Sequence, residues 1–125
     1  MRARTDRRQV GTVGEDLAVA HLRADGFTVV ERNWRCPHGE VDIVAVEAVA
    51  AHRVVVFCEV KCRTGLGFGG PLESITWAKV RKLRQLAGCW LDQCAWPVDD
   101  IRLDAIGVIM LPGRQPQLDH VRGIG

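Results

Sequence analysis

The sequence predicts an α/β (α+β) domain in which a mixed central sheet is flanked by helices, in the order α-β-β-β-α-β. The chain has 125 residues, which is the size of one domain. Two segments carry apolar residues at helical spacing, and others are near-continuous apolar runs, which are typical of strands buried on both faces. The proportions of apolar and charged residues are those of an ordinary globular protein. They exclude a disordered, collagen-like or coiled-coil chain.

The first helix and the three strands after it follow from local patterns. Apolar residues recur at helical spacing at Val13, Leu17, Ala20 and Ala24. Gly26 is placed to end this helix, because glycine readily adopts the left-handed conformation that closes a helix. Residues 27–34 begin apolar and β-branched, and residues 41–46 and 54–62 are almost entirely apolar. We therefore expect three successive strands.

The second half of the chain repeats the two patterns. Helical spacing returns at Val80, Leu83, Ala87 and Trp90. Pro97 and the acidic pair at 99–100 end that helix. A strand is expected at 101–110 and a short last strand at 117–121. We expect Trp77, Trp90 and Trp96 to pack in or beside the core.

The charge and the cysteines bear on partners and on location. The formal net charge is +2, and residues 1–10 contribute +3 through four arginines and one aspartate. We expect residues 1–9 to be a mobile basic tail and residues 10–125 a single domain. The five cysteines include no Cys-x-x-Cys pair, which indicates a reducing compartment. With no apolar run of about 18 residues and no signal-peptide pattern, a cytoplasmic location without membrane insertion is predicted.

The most informative stretch is the strand at 54–62, where five apolar residues lead into Glu59 and Lys61. Residues two apart share one face of a strand, and burying an unpaired charge costs several kcal/mol. The preceding strand carries Glu40 and Asp42 at the same spacing. A hairpin turn centred between residues 50 and 51 would place Asp42 opposite Glu59 and Glu40 opposite Lys61.

Two interpretations of these charges stay open at this point. Directly opposed carboxylates repel each other unless a cation lies between them, so Asp42 and Glu59 could hold Mg²⁺ through their oxygens. Alternatively, the four residues form cross-strand salt bridges, with Glu40–Lys61 as the obvious pair.

The order of these and other residues resembles the YraN family, a branch of the PD-(D/E)xK nuclease superfamily. The matching residues, in chain order, are Gly14-Glu15 with Ala18, Gly26-Phe27, Arg32-Asn-Trp-Arg35, Gly39-Glu-Val-Asp-Ile-Val44, Phe57-Cys-Glu-Val-Lys61 with Arg63, Phe68-Gly with Pro71, Lys79 with Arg84 and Ala87, and Arg102-Leu-Asp104. The resemblance implies a restriction-endonuclease-like fold related to Holliday-junction resolvases. Homodimerisation is a further expectation by analogy with those resolvases.

The resemblance also implies roles for individual residues. Asp42, Glu59 and Lys61 match the catalytic residues, and Glu15, Asp42 and Glu59 match the ligands of Mg²⁺ or Mn²⁺. Glu40 is a candidate accessory residue that could hold a second metal ion or fix Lys61. A competing interpretation makes Glu15 the third residue of a capping box that begins at Thr12.

The implied function is metal-dependent cleavage of DNA phosphodiesters, on branched or damaged DNA. Arg63, Lys79 and Arg81 are the candidate phosphate contacts. The alternative is a non-catalytic nucleic-acid-binding module that retains the nuclease fold. Residues 65–70 also fit the glycine pattern of a dinucleotide site, but Pro71 follows where a helix should begin. We expect a flexible loop there, beside the site.

Overall fold

A computed structural model describes residues 7–65 and 70–125, with side chains from residue 11 onward. Its elements are α1 (Arg7–Ala24), β1 (Thr28–Cys36), β2 (Gly39–Val49), β3 (His52–Arg63), a 3₁₀ turn (Pro71–Ser74), α2 (Trp77–Gln93), β4 (Asp100–Ile109) and β5 (Gln117–Arg122). The predicted order of elements is confirmed, including the short last strand.

The five strands form one mixed sheet in the order of the chain. β3 and β4 are parallel, which the crossover through α2 makes possible, and the other neighbouring strands are antiparallel. α1 packs on one face around Ile43 and Val56, and α2 packs on the other around Val55 and Phe57. A mixed sheet covered on both faces agrees with the restriction-endonuclease-like fold.

Gly26 ends α1 as predicted. It has a φ of +90°, and its N–H donates to the carbonyl of Arg23 over 3.1 Å. The next N–H, from Phe27, reaches back to Leu22 over 2.9 Å. This pair of bonds is the Schellman ending, and the side chains of Phe27 and Leu22 are buried in the same core.

The start of α1 corrects one interpretation from the sequence. The helix begins at Arg7, so Thr12 lies inside it and cannot be its N-cap. The capping-box interpretation of Glu15 is therefore wrong, because a cap needs free backbone N–H groups at the helix start. Residues 7–9 are helical, whereas the rest of the expected basic tail and residues 66–69 of the glycine loop lie outside the described residues.

α2 starts with a hydroxyl cap, in which Thr76 Oγ1 accepts from the N–H of Lys79 over 3.3 Å. Its predicted apolar stripe is buried, and Trp90 additionally donates through Nε1 to Glu31 over 3.2 Å. The expectation that Trp77 packs is wrong: this side chain is 78% exposed, because it occupies the first helical position and faces away from the stripe.

The five cysteines are all free thiols. In the described part of the chain, no helix is both long enough and apolar enough to cross a membrane.

Candidate functional site

The site begins where the β2–β3 hairpin stops pairing. The ladder runs from Val49 opposite His52 to Ile43 opposite Cys58, which confirms the predicted register. It ends one pair before Asp42 and Glu59. There Asp42 Oδ2 accepts from the N–H of Val60 over 2.8 Å, so a carboxylate takes the place of a backbone acceptor.

A wide cleft of about 1610 Å³ lies on the α1 side of this hairpin end; we call it the main cleft. Its acidic lining residues are Glu15, Glu40 and Asp42. Its basic lining residues are Arg32, Arg35 and Arg63. A cleft with carboxylates and surrounding guanidinium groups can accommodate both a cation and a phosphate.

Glu15 projects from α1 into the main cleft and is 9% exposed. Its Oε1 accepts from Asn33 Nδ2 over 2.9 Å and from Arg32 Nε over 3.2 Å. Asn33 has a φ of 53°, a left-handed conformation that asparagine tolerates better than most residues. The irregular β1 segment therefore turns two donors onto Glu15 and fixes its direction.

Gly14 lets α1 approach β3 closely at this point. A Cβ atom built on Gly14 would lie 2.0 Å from Cys62 Sγ and 3.2 Å from Cys62 Cβ. Any side chain at this position would force Cys62 to move, so glycine permits the close approach of α1 that brings Glu15 to the main cleft.

Glu59 and Lys61 share a face of β3, as expected, and lie on the α2 side. Lys61 Nζ is 3.2 Å from Glu59 Oε1. Glu59 lines a smaller depression of about 210 Å³, which we call the lysine depression. It also includes Glu40, Lys79 and Lys82, so Glu40 lines both hollows.

The structure corrects the expected Glu40–Lys61 pair and separates the three candidate phosphate contacts. The alternative salt bridge between Glu40 and Lys61 is wrong: Glu40 Oε2 is paired with Arg35 Nε at 3.0 Å, and Lys61 is paired with Glu59. Arg63 lines the main cleft and Lys79 the lysine depression, whereas Arg81 is exposed on α2 and lines neither hollow.

Asp42 has a strongly raised pKa among the acidic residues of the site. Burial and the nearby charge of Glu59 raise the pKa of Asp42 to about 7, although the N–H of Val60 opposes this, and Glu15 and Glu40 add to the increase. Among the side chains of residues 11–65 and 70–125, no cation forms an ion pair with Asp42, whereas Glu15, Glu40 and Glu59 each have one. Asp42 is therefore the carboxyl group whose charge is least compensated.

The predicted metal ligands are neighbours but do not form a closed cage. Of the described residues, only His21, Asp25 and His120 form a group of three whose potential ligand atoms all lie within 4.8 Å of one another. Glu15, Asp42 and Glu59 do not meet that spacing, because Glu15 is turned to Arg32 and Asn33, and Glu59 is turned to Lys61.

Sequence reasoning missed a second buried polar cluster around Asp104, which is 0% exposed. Both its oxygens accept from Arg102, at 2.8 and 2.9 Å, and further bonds come from His120 Nε2 and the N–H of Gly123. Burial alone raises the pKa of Asp104, but these hydrogen bonds outweigh it and lower the pKa to about 2. The spacing of Arg102 and Asp104 could have indicated a same-face pair; nothing in the sequence indicated His120.

Comparison with known proteins gives a consistent match over this whole region. The model of the uncharacterised protein family UPF0102 matches residues 14–108, which include every predicted site residue. UPF0102 proteins of Mycobacterium ulcerans and Mycobacterium marinum are 48% identical over 121 residues, covering 95% of this chain and 96% of each relative. The UPF0102 protein of Mycobacterium tuberculosis strain H37Rv is 48% identical over 120 residues, covering 94% of this chain and 92% of the relative.

Proposed function

Because the chain belongs to the uncharacterised protein family UPF0102, the YraN family of the PD-(D/E)xK-related group, we propose that it is a metal-dependent endonuclease that cleaves DNA phosphodiesters. The proposal depends mainly on the uncompensated carboxyl group of Asp42. Its carboxyl group lies where the hairpin stops pairing, without an ion-pair partner among the described residues, and three other carboxylates act on it. Such an arrangement is best completed by a divalent cation.

The donor set fits a hard cation. Asp42, Glu59 and Glu15 offer carboxylate oxygens, and the carbonyl of Val60 adds a neutral oxygen. Mg²⁺ and Mn²⁺ prefer oxygen ligands of this kind. When bound, either ion supplies Lewis-acid neutralisation of the charge that develops on the scissile phosphate.

Lys61 is the candidate catalytic cation. Its ammonium group lies 3.2 Å from Glu59, which holds it close to the carboxylates. A lysine offers three donors on a flexible stem, so Lys61 can donate to the attacking water or to a phosphate oxygen whose charge grows during cleavage. Glu59 holds Lys61 beside the site in the metal-free protein and would turn from it to act as a ligand when an ion binds. Glu40 remains a candidate accessory ligand at the border of the two hollows.

The surrounding cations would hold the DNA backbone. Arg63 lines the main cleft, Lys79 lines the lysine depression, and Arg81 lies exposed on the same helix as Lys79. Without Glu15, Glu40, Asp42 and Glu59, residues 11–125 carry a net charge of +3. Once a cation offsets those carboxylates, the modest total charge is compatible with a DNA substrate. The free cysteines agree with the cytoplasmic location expected of a protein that acts on branched or damaged DNA.

A non-catalytic DNA-binding module is the second candidate, and one observation favours it. Three of the four acidic residues already have cationic partners within the protein, as in a site that has lost its metal. This candidate predicts salt-dependent DNA binding that survives Asp42→Asn.

The test is nicking of supercoiled plasmid and cleavage of synthetic junction DNA with Mg²⁺, Mn²⁺ or EDTA. Metal-dependent activity should fall by about 100-fold or more in Lys61→Ala, the usual loss when a group that stabilises transition-state charge is removed. Arg114→Ala, which removes an exposed cation outside both hollows, is the matched control. Equal activity in the wild type and Lys61→Ala would remove Lys61 from the mechanism. DNA binding without cleavage of any substrate would favour the second candidate.

A further inference from the structure

A second cluster of potential metal ligands lies at the C-terminal end of α1. His21 is followed by Asp25 four residues later, and the N–H of Asp25 donates to the carbonyl of His21 over 3.0 Å. This helical turn places the two side chains on one side. His120 of β5 meets them there, and one ligand atom of each residue lies within 4.8 Å of the others.

The two imidazole rings are arranged as two ligands of one ion would be. His21 Nε2 and His120 Nδ1 are 3.1 Å apart. Two nitrogens bound to one tetrahedral Zn²⁺ lie about 3.3 Å apart, given bonds of roughly 2.0–2.1 Å. A small outward movement of either ring, with the proton of His21 transferred from Nε2 to Nδ1, would therefore replace the present hydrogen bond with a pair of metal bonds.

A carboxylate on the far side of the ring, that of Asp104, already orients His120. Its Nε2 lies 2.8 Å from Asp104 Oδ2, and Arg102 holds the same carboxylate with two hydrogen bonds. Because an ionised carboxylate only accepts, His120 Nε2 must carry the proton, so the lone pair is on Nδ1. A carboxylate behind a histidine in this way is a common feature of zinc sites, where it fixes the ring and strengthens the ligand.

We propose that His21, Asp25 and His120 bind a transition-metal ion such as Zn²⁺, at a site separate from the Mg²⁺ or Mn²⁺ site of the main cleft. Two imidazoles and one carboxylate suit Zn²⁺ and leave its fourth position to water. The ion would join the end of α1 to β5 and, through Asp104, to β4. Its role would be to hold the last strand in place, and the site does not depend on the proposed nuclease activity.

Arg122 is the group that competes with the ion. Its guanidinium contacts Asp25 Oδ2 and also Glu47 Oε2, so it does not depend on Asp25 alone. Asp25 has a second oxygen, and its side chain is exposed, which leaves it free to turn towards the two histidines. Arg122 would then retain its bond to Glu47.

The test is titration of the metal-free full-length protein with Co²⁺, a spectroscopic substitute for Zn²⁺, followed by competition with Zn²⁺ and Mg²⁺. We expect one equivalent of Co²⁺ to produce visible bands of a four-coordinate site, which Zn²⁺ removes and excess Mg²⁺ does not. His21→Gln should abolish them, whereas His38→Gln, at an exposed histidine, should not. Zn²⁺ should also raise Tm by on the order of 10 °C at about 100 times Kd, and only when His21 is present.

Several results would overturn the proposal. They are the absence of saturable Co²⁺ binding, unchanged binding in a His21→Gln protein that is folded by circular dichroism, and intense near-ultraviolet bands that mark thiolate ligands. Asp42→Asn separates the two metal sites. It should leave Co²⁺ binding at the histidines intact, so failure of this site and failure of the nuclease proposal give different results.

Discussion

Replacing Asp42 with Asn should remove a pH-dependent weakness of the metal-free protein. The pKa of Asp42 rises from the ordinary 3.8 to about 7 on folding, through burial and the charge of Glu59. Between those values the folded state binds more protons than the unfolded state, so the free energy of unfolding falls as pH increases. The dependence on this group ends only about one unit above its pKa of about 7.

The magnitude follows from the size of the shift. One pKa unit corresponds to about 1.36 kcal/mol, so the change from 3.8 to about 7 corresponds to at most about 4 kcal/mol lost across that range. Asparagine carries no charge and would lose none of it. A divalent cation favours the ionised carboxylate, so it should restore stability to the wild type near pH 7 and give Asp42→Asn much less.

The assay is urea denaturation at several pH values between 4 and 8, in EDTA and in Mg²⁺ or Mn²⁺. The wild type in EDTA should lose stability over this range, and Asp42→Asn should lose less. Asp99→Asn, at an exposed carboxylate, is the matched control. Identical pH profiles for the wild type and Asp42→Asn would refute the assignment of this pH-dependent loss of stability to Asp42.

Three other substitutions test the packing and the surface. Gly14→Ala should cost about 1–3 kcal/mol of unfolding free energy through its clash with Cys62, and Cys62→Ala in the same chain should recover most of the loss; no recovery would mean that the contact is elsewhere. Asp104→Asn should cost about 3–5 kcal/mol, since it leaves Arg102 short of its carboxylate partner; because the pKa of Asp104 is lowered to about 2, the wild type should lose this advantage in strong acid, and an unchanged acid-unfolding curve would contradict that. Trp77→Ala should change the free energy of unfolding by less than about 0.5 kcal/mol, because the ring is 78% exposed; a larger loss in urea denaturation would show that the ring packs against the fold.

Much of the fold could be predicted because its determinants are local. Gly26 ends α1 in the predicted way, and the hairpin register follows from the turn at residues 50–51 together with the apolar runs. The start of α1 was harder to predict. Residues 7–10 carry no apolar stripe that would mark a helix, so the pattern suggested a cap at Thr12 that the structure does not have.

The candidate site was predictable only in part, because side-chain partners depend on contacts across the fold. The i, i+2 spacing correctly placed Glu59 and Lys61 on one face. It could not indicate that Glu40 pairs with Arg35 or that Arg32 and Asn33 reach Glu15. Arg35 lies directly opposite Glu40 in the β1–β2 ladder, a pairing that the spacing within β2 and β3 does not address. Asn33, beside Arg32, has a left-handed backbone with a φ of 53° that no simple period reveals.

The most direct test of the central claim is a crystal structure of the protein soaked in Mn²⁺, read by anomalous scattering. The proposed function predicts an ion bonded to the carboxylates of Asp42 and Glu59, with Glu59 moved away from Lys61 to reach it. Crystals could instead hold Mn²⁺ only elsewhere, such as at the histidines of α1 and β5. The absence of an ion at Asp42 in such crystals would contradict the proposal that this hairpin end is a catalytic metal site.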